Sequence, residues 1–248
     1  AVVALTITFI AIDAATVTAG SSTTTTLTVT GKKSYTPTTS HTKDYYTFEE
    51  WYSDISKSET FVDCRIGQID FNLPATGNAT VAINAVGLSR TTGTSQVLTT
   101  PTASTSSVMN ATNGIILING TRQTVATAIN FTISNGAENA GAVIGSDYGQ
   151  DVTTGRIRVS GTFMAQFDST TIRDLFANET ATSINVVLTA DNTGTSEFIA
   201  FSIPLVKLTG DAPSDGETAI IRTYPFTAAY NSTGGTGVSS EQTIISYQ

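Results

Sequence analysis

Between Arg156 and Phe167 the chain alternates. Ile157, Val159, Gly161, Phe163, Ala165 and Phe167 fall on one side of an extended backbone, and Arg156, Arg158, Ser160, Thr162, Met164 and Gln166 on the other. That period of two is the mark of a strand with one buried face. At about 3.3 Å per residue the strand would reach roughly 40 Å, about twice the usual length. The period then changes: Ile172, Leu175 and Phe176 share one face at helical spacing, with Asp168 or Ser169 placed to cap and Asn178 to stop. Leu175 and Phe176 are the expected contacts of this short helix with the core.

The same reading carries along the chain. Leu5, Ile7 and Phe9 alternate with threonines and predict an N-terminal strand, too short and too interrupted for a membrane span and without the basic start of a signal peptide. The polar segment from Thr18 to Tyr46 is longer than a compact domain normally tolerates and is a candidate arm toward another subunit. In "TFEEWYSDIS", Phe48, Trp51, Tyr52 and Ile55 fall on one helical face, and Thr47 with Glu50 has capping-box spacing. A helix is expected there, with Trp51 and Tyr52 packed on the core.

Next, Ile69, Phe71 and Leu73 alternate, Pro74 to Asn78 turn, and Val81, Ile83 and Ala85 return, a hairpin with a bulge where the alternation slips at Gly67. Leu88 to Asn113 is a second polar connector. Asn119-Gly120 sets another hairpin, residues 183–204 a third, and one more long strand and a final short one at Thr243 to Tyr247 follow. The fold class is mainly β: an antiparallel sandwich or barrel with one or two short flanking helices. Residues 1–114 form an N-terminal β half with the Thr-rich arm and helix, and 115–248 a C-terminal half with the long strand, short helix and C-terminal arm. One continuous domain and two tandem sandwich-like halves both stay open.

Composition sharpens this picture. Ser and Thr make up more than a quarter of the residues, which favours strands. Only 13% are charged, about half the usual share, so a subunit that hides surface against its own copies is favoured over a threonine-covered monomer. A net charge of −8 with twelve Lys and Arg argues against a nucleic-acid clamp. The single cysteine, Cys64, excludes an internal disulfide framework and reads as a buried structural thiol. Asn-x-Ser/Thr sequons occur at Asn78, Asn110, Asn119, Asn130, Asn178 and Asn231, as expected by chance in so Thr-rich a chain.

Chemistry is scarce. One histidine, His41, and one cysteine cannot make a usual zinc site, and His41 has no visible partner to orient it as a base. Glu49, Glu50 and Asp54 beside Trp51 suggest paired carboxylates, yet read better as first-turn acids of the expected helix. Asp147 and Asp151 in "GSDYGQD" lack the spacing of a calcium loop, and "STGGTGVSS" lacks the lysine of a phosphate cradle. No enzyme, cofactor or metal site is expected. Long strands nevertheless leave edges that must be covered, and rings of identical subunits joined edge to edge would remove them.

The run from Ile129 to Phe176, with Asn135 leading through a Gly-rich loop to Gly155, Gly161, Phe163, Phe167 and Asp168, resembles the major tail tube proteins of long-tailed bacteriophages. Pro204, Val206 and Leu208, then Pro225, Phe226 and Ala228, look like that family's closing strands, and Gln68 to Gly87 fits more loosely. The resemblance implies a sandwich assembled with itself into hexameric or pseudo-hexameric trimeric rings, stacked into a tube. It further implies tail tip and terminator proteins as partners, a virion location, no membrane, and a lumen through which DNA passes without being bound. Asp63 and Asp70, acids on a predicted long strand, are the candidates for the lumen wall, with salt bridges to neighbouring subunits as the competing role. A secreted or cell-surface adhesin or S-layer-like sandwich is the alternative reading.

Overall fold

The computed structural model describes residues 45–97, 108–109, 111–146, 149–191, 197–214, 219–230 and 244–247. The expected N-terminal strand, nearly all of the Thr18 to Tyr46 segment and His41 lie outside them. The first strands are β1 (Tyr46–Tyr52), β2 (Lys57–Pro74), β3 (Thr80–Val86), β4 (Ser89–Gly93), β5 (Ile115–Ile118), β6 (Thr121–Gln123) and β7 (Ala126–Ser134). Then come β8 (Glu138–Asn139), β9 (Val152–Thr153), β10 (Arg158–Gln166) and the one α-helix among the described residues, α1 (Thr171–Ala177). The chain closes with β11 (Thr182–Thr189), β12 (Phe198–Leu208), β13 (Ala212–Pro213), β14 (Ile221–Ala228) and β15 (Ile244–Tyr247).

Hydrogen bonding runs in the order β1-β2-β7-β10-β14-β12-β11-β5-β6, every pair antiparallel. The path folds over at β14, which meets β12 only through Ala228, Thr227 and Phe226. One layer therefore holds β3, β2, β7, β10 and β14, and the other β12, β11, β5 and β6. Alternate residues of each layer turn inward: Phe71 and Leu73, Ile129, Phe131 and Ile133, Phe163 and Ala165 on one side, Ile184, Val186 and Leu188 with Phe201 and Ile203 on the other. Residues from both sides of position 114 share this core cluster.

Three rings join the layers. Phe71 stacks on Phe131 at 4.8 Å between centroids, and Phe201 meets both edge-on at 4.8 and 5.1 Å, spacings at which aromatic pairs attract beyond their buried area. The cross-strand partner of Phe131 on β10 is Gly161. A side chain there would collide with the Asn130 carbonyl oxygen and come within 2.7 Å of Phe131 Cβ, so the glycine gives the ring its room.

Several expectations change. The segment expected as a helix is strand β1: Phe48 pairs with Phe61, Trp51 with Ser58 and Tyr52 with Lys57. Trp51 and Tyr52 are half-buried strand residues and not helix contacts. A two-turn helix is marginal on its own, whereas aromatic residues suit strands, and the N-terminal half of β2 offers a full-length partner. Glu49 accepts a hydrogen bond from the Val97 amide at 2.7 Å in place of serving a helix terminus. The longest strand is not the one around Gly161, which is nine residues, but β2 with eighteen. In α1, Ile172 is buried, Leu175 packs against the core, Phe176 is half-buried, and Asn178 ends the helix. Its N-cap is Thr170, without a side-chain capping bond.

β2 serves two neighbourhoods. Its first half carries β1 on one edge and β4 on the other, and its second half carries β7 and β3. Pairing slips at both ends of the junction, near Asp63, whose φ is 54°, and at Gly67. Cys64 lies between them, 3% exposed, and a side chain at Gly87 would come within 2.7 Å of its Sγ. The Asn119-Gly120 turn joins β5 to β6 with φ of 51° and 74°, the left-handed pair a two-residue hairpin requires.

Two substitutions test the core. Gly161→Ala should lower stability by about 1–3 kcal/mol through overpacking, and Phe201→Ala by about 3–5 kcal/mol through the cavity it leaves. Urea midpoints at constant slope provide the measurement, and an unchanged midpoint for Gly161→Ala would show that Phe131 does not depend on the missing side chain.

Candidate functional site

The residues between the inward-facing ones make the other face of the first layer. Register places Asn84 and Gln68 with Ser134 and Arg158; Ala82 and Asp70 with Thr132 and Ser160; and Thr80 and Asn72 with Asn130 and Thr162. Thr227 and Pro225 continue the rows on β14. The result is a hydroxyl- and amide-covered face five strands wide, with a shallow open depression around Asp70, Asn72, Thr80, Asn130 and Thr132.

Asp70 is the acid at its centre. Thr132 Oγ1 donates to Oδ1 at 2.6 Å, Gln68 Nε2 donates to both carboxylate oxygens at 2.9 and 2.8 Å, and Asn84 Nδ2 donates to Oδ2 at 3.2 Å. Three strands thus supply donors to one carboxylate. The Thr132 hydroxyl foremost, then Gln68 and Asn84, hold its pKa below the usual carboxylate value against the opposing effect of partial burial.

Asp63 is placed differently. It is exposed at the left-handed junction of β2, outside the rows that contain Asp70, so the structure does not bring the two acids together. Gln68 was legible in principle, two residues from Asp70 on the same strand face. Thr132 and Asn84 became partners through cross-strand register, which no local pattern announces.

Among the described residues, β3 is the free edge of this layer. Val81 and Ile83 pair with Phe71 and Ile69 on the core side of the sheet, yet they are 52% and 57% exposed. Every residue of β3 except Val86 is exposed.

The remaining candidates are scattered. Glu50 and Asp54 are exposed on β1 and its turn, and Asp151 accepts a hydrogen bond from the Tyr45 hydroxyl at 2.6 Å. Asp147 lies outside the described residues. Among the described residues no three His, Cys, Asp or Glu side chains converge to hold a metal ion, and no helix is long and apolar enough to cross a membrane.

Two layers on an aromatic core, with one broad polar face and, among the described residues, an open edge at β3, define a β-sandwich. A family model described as phage tail tube protein matches residues 3–228. The chain belongs to the phage tail tube protein family, which makes it a structural component of the virion tail. No curated protein matches it. Among solved structures it is similar to a chain of the cryo-EM structure of the anti-feeding prophage (AFP) baseplate, six-fold symmetrised. That likeness has 12% identity and a TM-score of 0.30 over 59% of this chain and 96% of the other.

The Asp70 cluster predicts a pH signature. Its folded pKa is depressed, so its contribution to stability is fully present above the unfolded carboxylate value of about 3.9 and is lost as pH falls through the folded value. Asp70→Ala should therefore be less stable than the parent at neutral pH, with the gap closing in acid. Urea melts from neutral pH into the acid range read this directly, and a gap that stays constant would mean the carboxylate gains nothing from its donors.

Proposed function

We infer that this chain is the repeating subunit of the tail tube of a long-tailed phage, assembling with itself into rings that stack around a channel for DNA. The observation that carries the reading is β3, which among the described residues is a strand at a sheet edge with both faces exposed, Val81 and Ile83 continuing an apolar face that the described residues leave largely uncovered. An open edge of this kind invites another strand, and a ring of identical subunits supplies one without leaving a new edge. The described residues hold one core per chain, which favours six subunits to a ring over three.

The polar face is then the channel wall. Most of its residues are neutral hydroxyls and amides that make only short-lived contacts with a passing polyanion. Asp70 adds a negative charge at its centre, which repels phosphate and so would keep the DNA from sticking. Arg158 sits at the end of its row. In this reading Asp70 is a lumen residue, and Asp63, off the face, has a role at the junction of β2. The tail tip and terminator proteins expected from the resemblance would meet the first and last rings.

Negative-stain electron microscopy of the purified chain at rising concentration is the test. Hollow stacked rings are expected, and their end views give the symmetry. Ile83→Lys should abolish rings while leaving the monomer folded, because a charge on the edge blocks strand addition. In virions, Asp70→Lys should slow DNA delivery while tubes still form; delivery at the normal rate would remove Asp70 from the channel wall.

A further inference from the structure

The sandwich is not the whole of the described chain. β1, β4 and the first half of β2 form a three-stranded wing, residues 45–62 and 89–97, and none of its residues belongs to the core cluster that joins the two layers. Where the wing meets the sandwich, β2 changes partners on both edges. On one edge the last pair with β1 is Cys64 with Tyr46, and the first with β7 is Gln68 with Ser134. On the other, β4 reaches as far as Val62 through Ser89, and β3 takes over with Val86 opposite Arg65. Among the described residues only β2 itself and the Gly87-Leu88 link carry the chain across that line.

Along that line the chain yields most readily at one place. Asp63 holds φ at 54°, left-handed backbone that a non-glycine residue adopts at a cost, and the pairing with β1 slips beside it. Gly87 stands opposite without a side chain, and a Cβ there would come within 2.7 Å of Cys64 Sγ. On the sandwich side the strand is clamped: the Asn135 amide donates to the Gly67 carbonyl at 3.0 Å, and Asn135 Nδ2 to the Ile66 carbonyl at 2.8 Å. Bending is thereby confined to Asp63 and Cys64. The end of the wing is tied down separately. The Tyr45 hydroxyl donates to Asp151 Oδ1 at 2.6 Å. Arg65 lies over the Tyr45 ring at 5.2 Å and donates through Nη1 to the carbonyl of buried Val152 at 3.0 Å. Arg65 and Asp151 stay with the sandwich, so a swing of the wing breaks the bond from Tyr45.

We propose that the wing swings as a unit about Asp63–Cys64 and Gly87–Leu88, and that Tyr45 on Asp151 is the catch that holds it closed. The contact is exposed and its net contribution is modest, so the open position is sampled while the aromatic core stays intact. The wing carries Tyr46 and Phe48, 47% and 41% exposed, with ring centroids 6.3 Å apart. A hinge lets this aromatic pair meet a partner at more than one angle without disturbing the polar face. The inference concerns the single chain and does not depend on the tube reading.

Cys64, buried at the pivot, reports the motion from within. The full chain, kept dilute enough to stay monomeric, is treated with iodoacetamide, and mass spectrometry follows how fast the thiol is alkylated. The rate is expected to rise with urea along a slope far shallower than that of global unfolding. Hydrogen exchange should release the amides of β1 and β4 at the same low free energy, and those of β7 and β11 only with global unfolding. Tyr45→Phe keeps the ring over Arg65 and removes the donor; it should speed alkylation roughly fivefold, the effect of one lost hydrogen bond, and leave the urea slope as it was. A slope equal to that of global unfolding overturns the hinge, because the thiol is then reached only when the whole chain opens. A Tyr45→Phe rate equal to the parent's overturns the catch. Neither result bears on whether the chain forms rings.

Discussion

The sandwich depends on the contact of Phe71, Phe131 and Phe201 across its two layers. Two of the rings belong to the layer that carries the polar face and one to the layer that covers it. Because interiors pack at nearly crystalline density, the separation of the layers at this point is set by how deeply Phe131 can sit, and that is set by the absent side chain of Gly161. The rows of Thr, Asn and Ser lie on the other side of the same strands. A backbone pushed outward at β10 would disturb Ser160 and Thr162 as surely as it would disturb Phe163.

Local signals in the sequence were legible where one short stretch decides the outcome. Asn119-Gly120 requires left-handed backbone at both positions, and few alternatives compete for it. The phase slip at Gly67 likewise appears as a bulge against β3. The failure at Phe48 to Tyr52 has a different origin. Aromatic residues at positions 48, 51 and 52 satisfy a helical face and a strand equally well, and the decision came from β2, whose extra length at its N-terminal half was invisible in its own alternation because two bulges interrupt it. The strand around Gly161, cleaner in pattern, was overestimated for the opposite reason: alternation continues through residues that do not pair.

The candidate site divides in the same way. Asp70 stood out as an acid on a strand, but its donors on β3 and β7 are 14 and 62 residues away in sequence. The exposure of Val81 and Ile83 is harder still to read. Their alternation with polar residues is that of an ordinary half-buried strand, and what distinguishes them is that no element among the described residues covers the core side of β3. A pattern of apolar residues records that a face is to be buried, and does not say whether the same chain or another copy buries it.

Cys64 illustrates what the proposed assembly would ask of a side chain. Burial raises its pKa and keeps the thiol protonated, and the strands close over it opposite Gly87. A single reactive thiol on a monomer is a minor liability, but a filament repeats it at every subunit, at fixed and close intervals. Virions persist outside the cell, where thiols oxidise, and chance bridges between neighbours would weld the particle into a form that could not flex or disassemble. In the proposed tube, a sulfur sealed inside the β2 junction would take no part in such bridges.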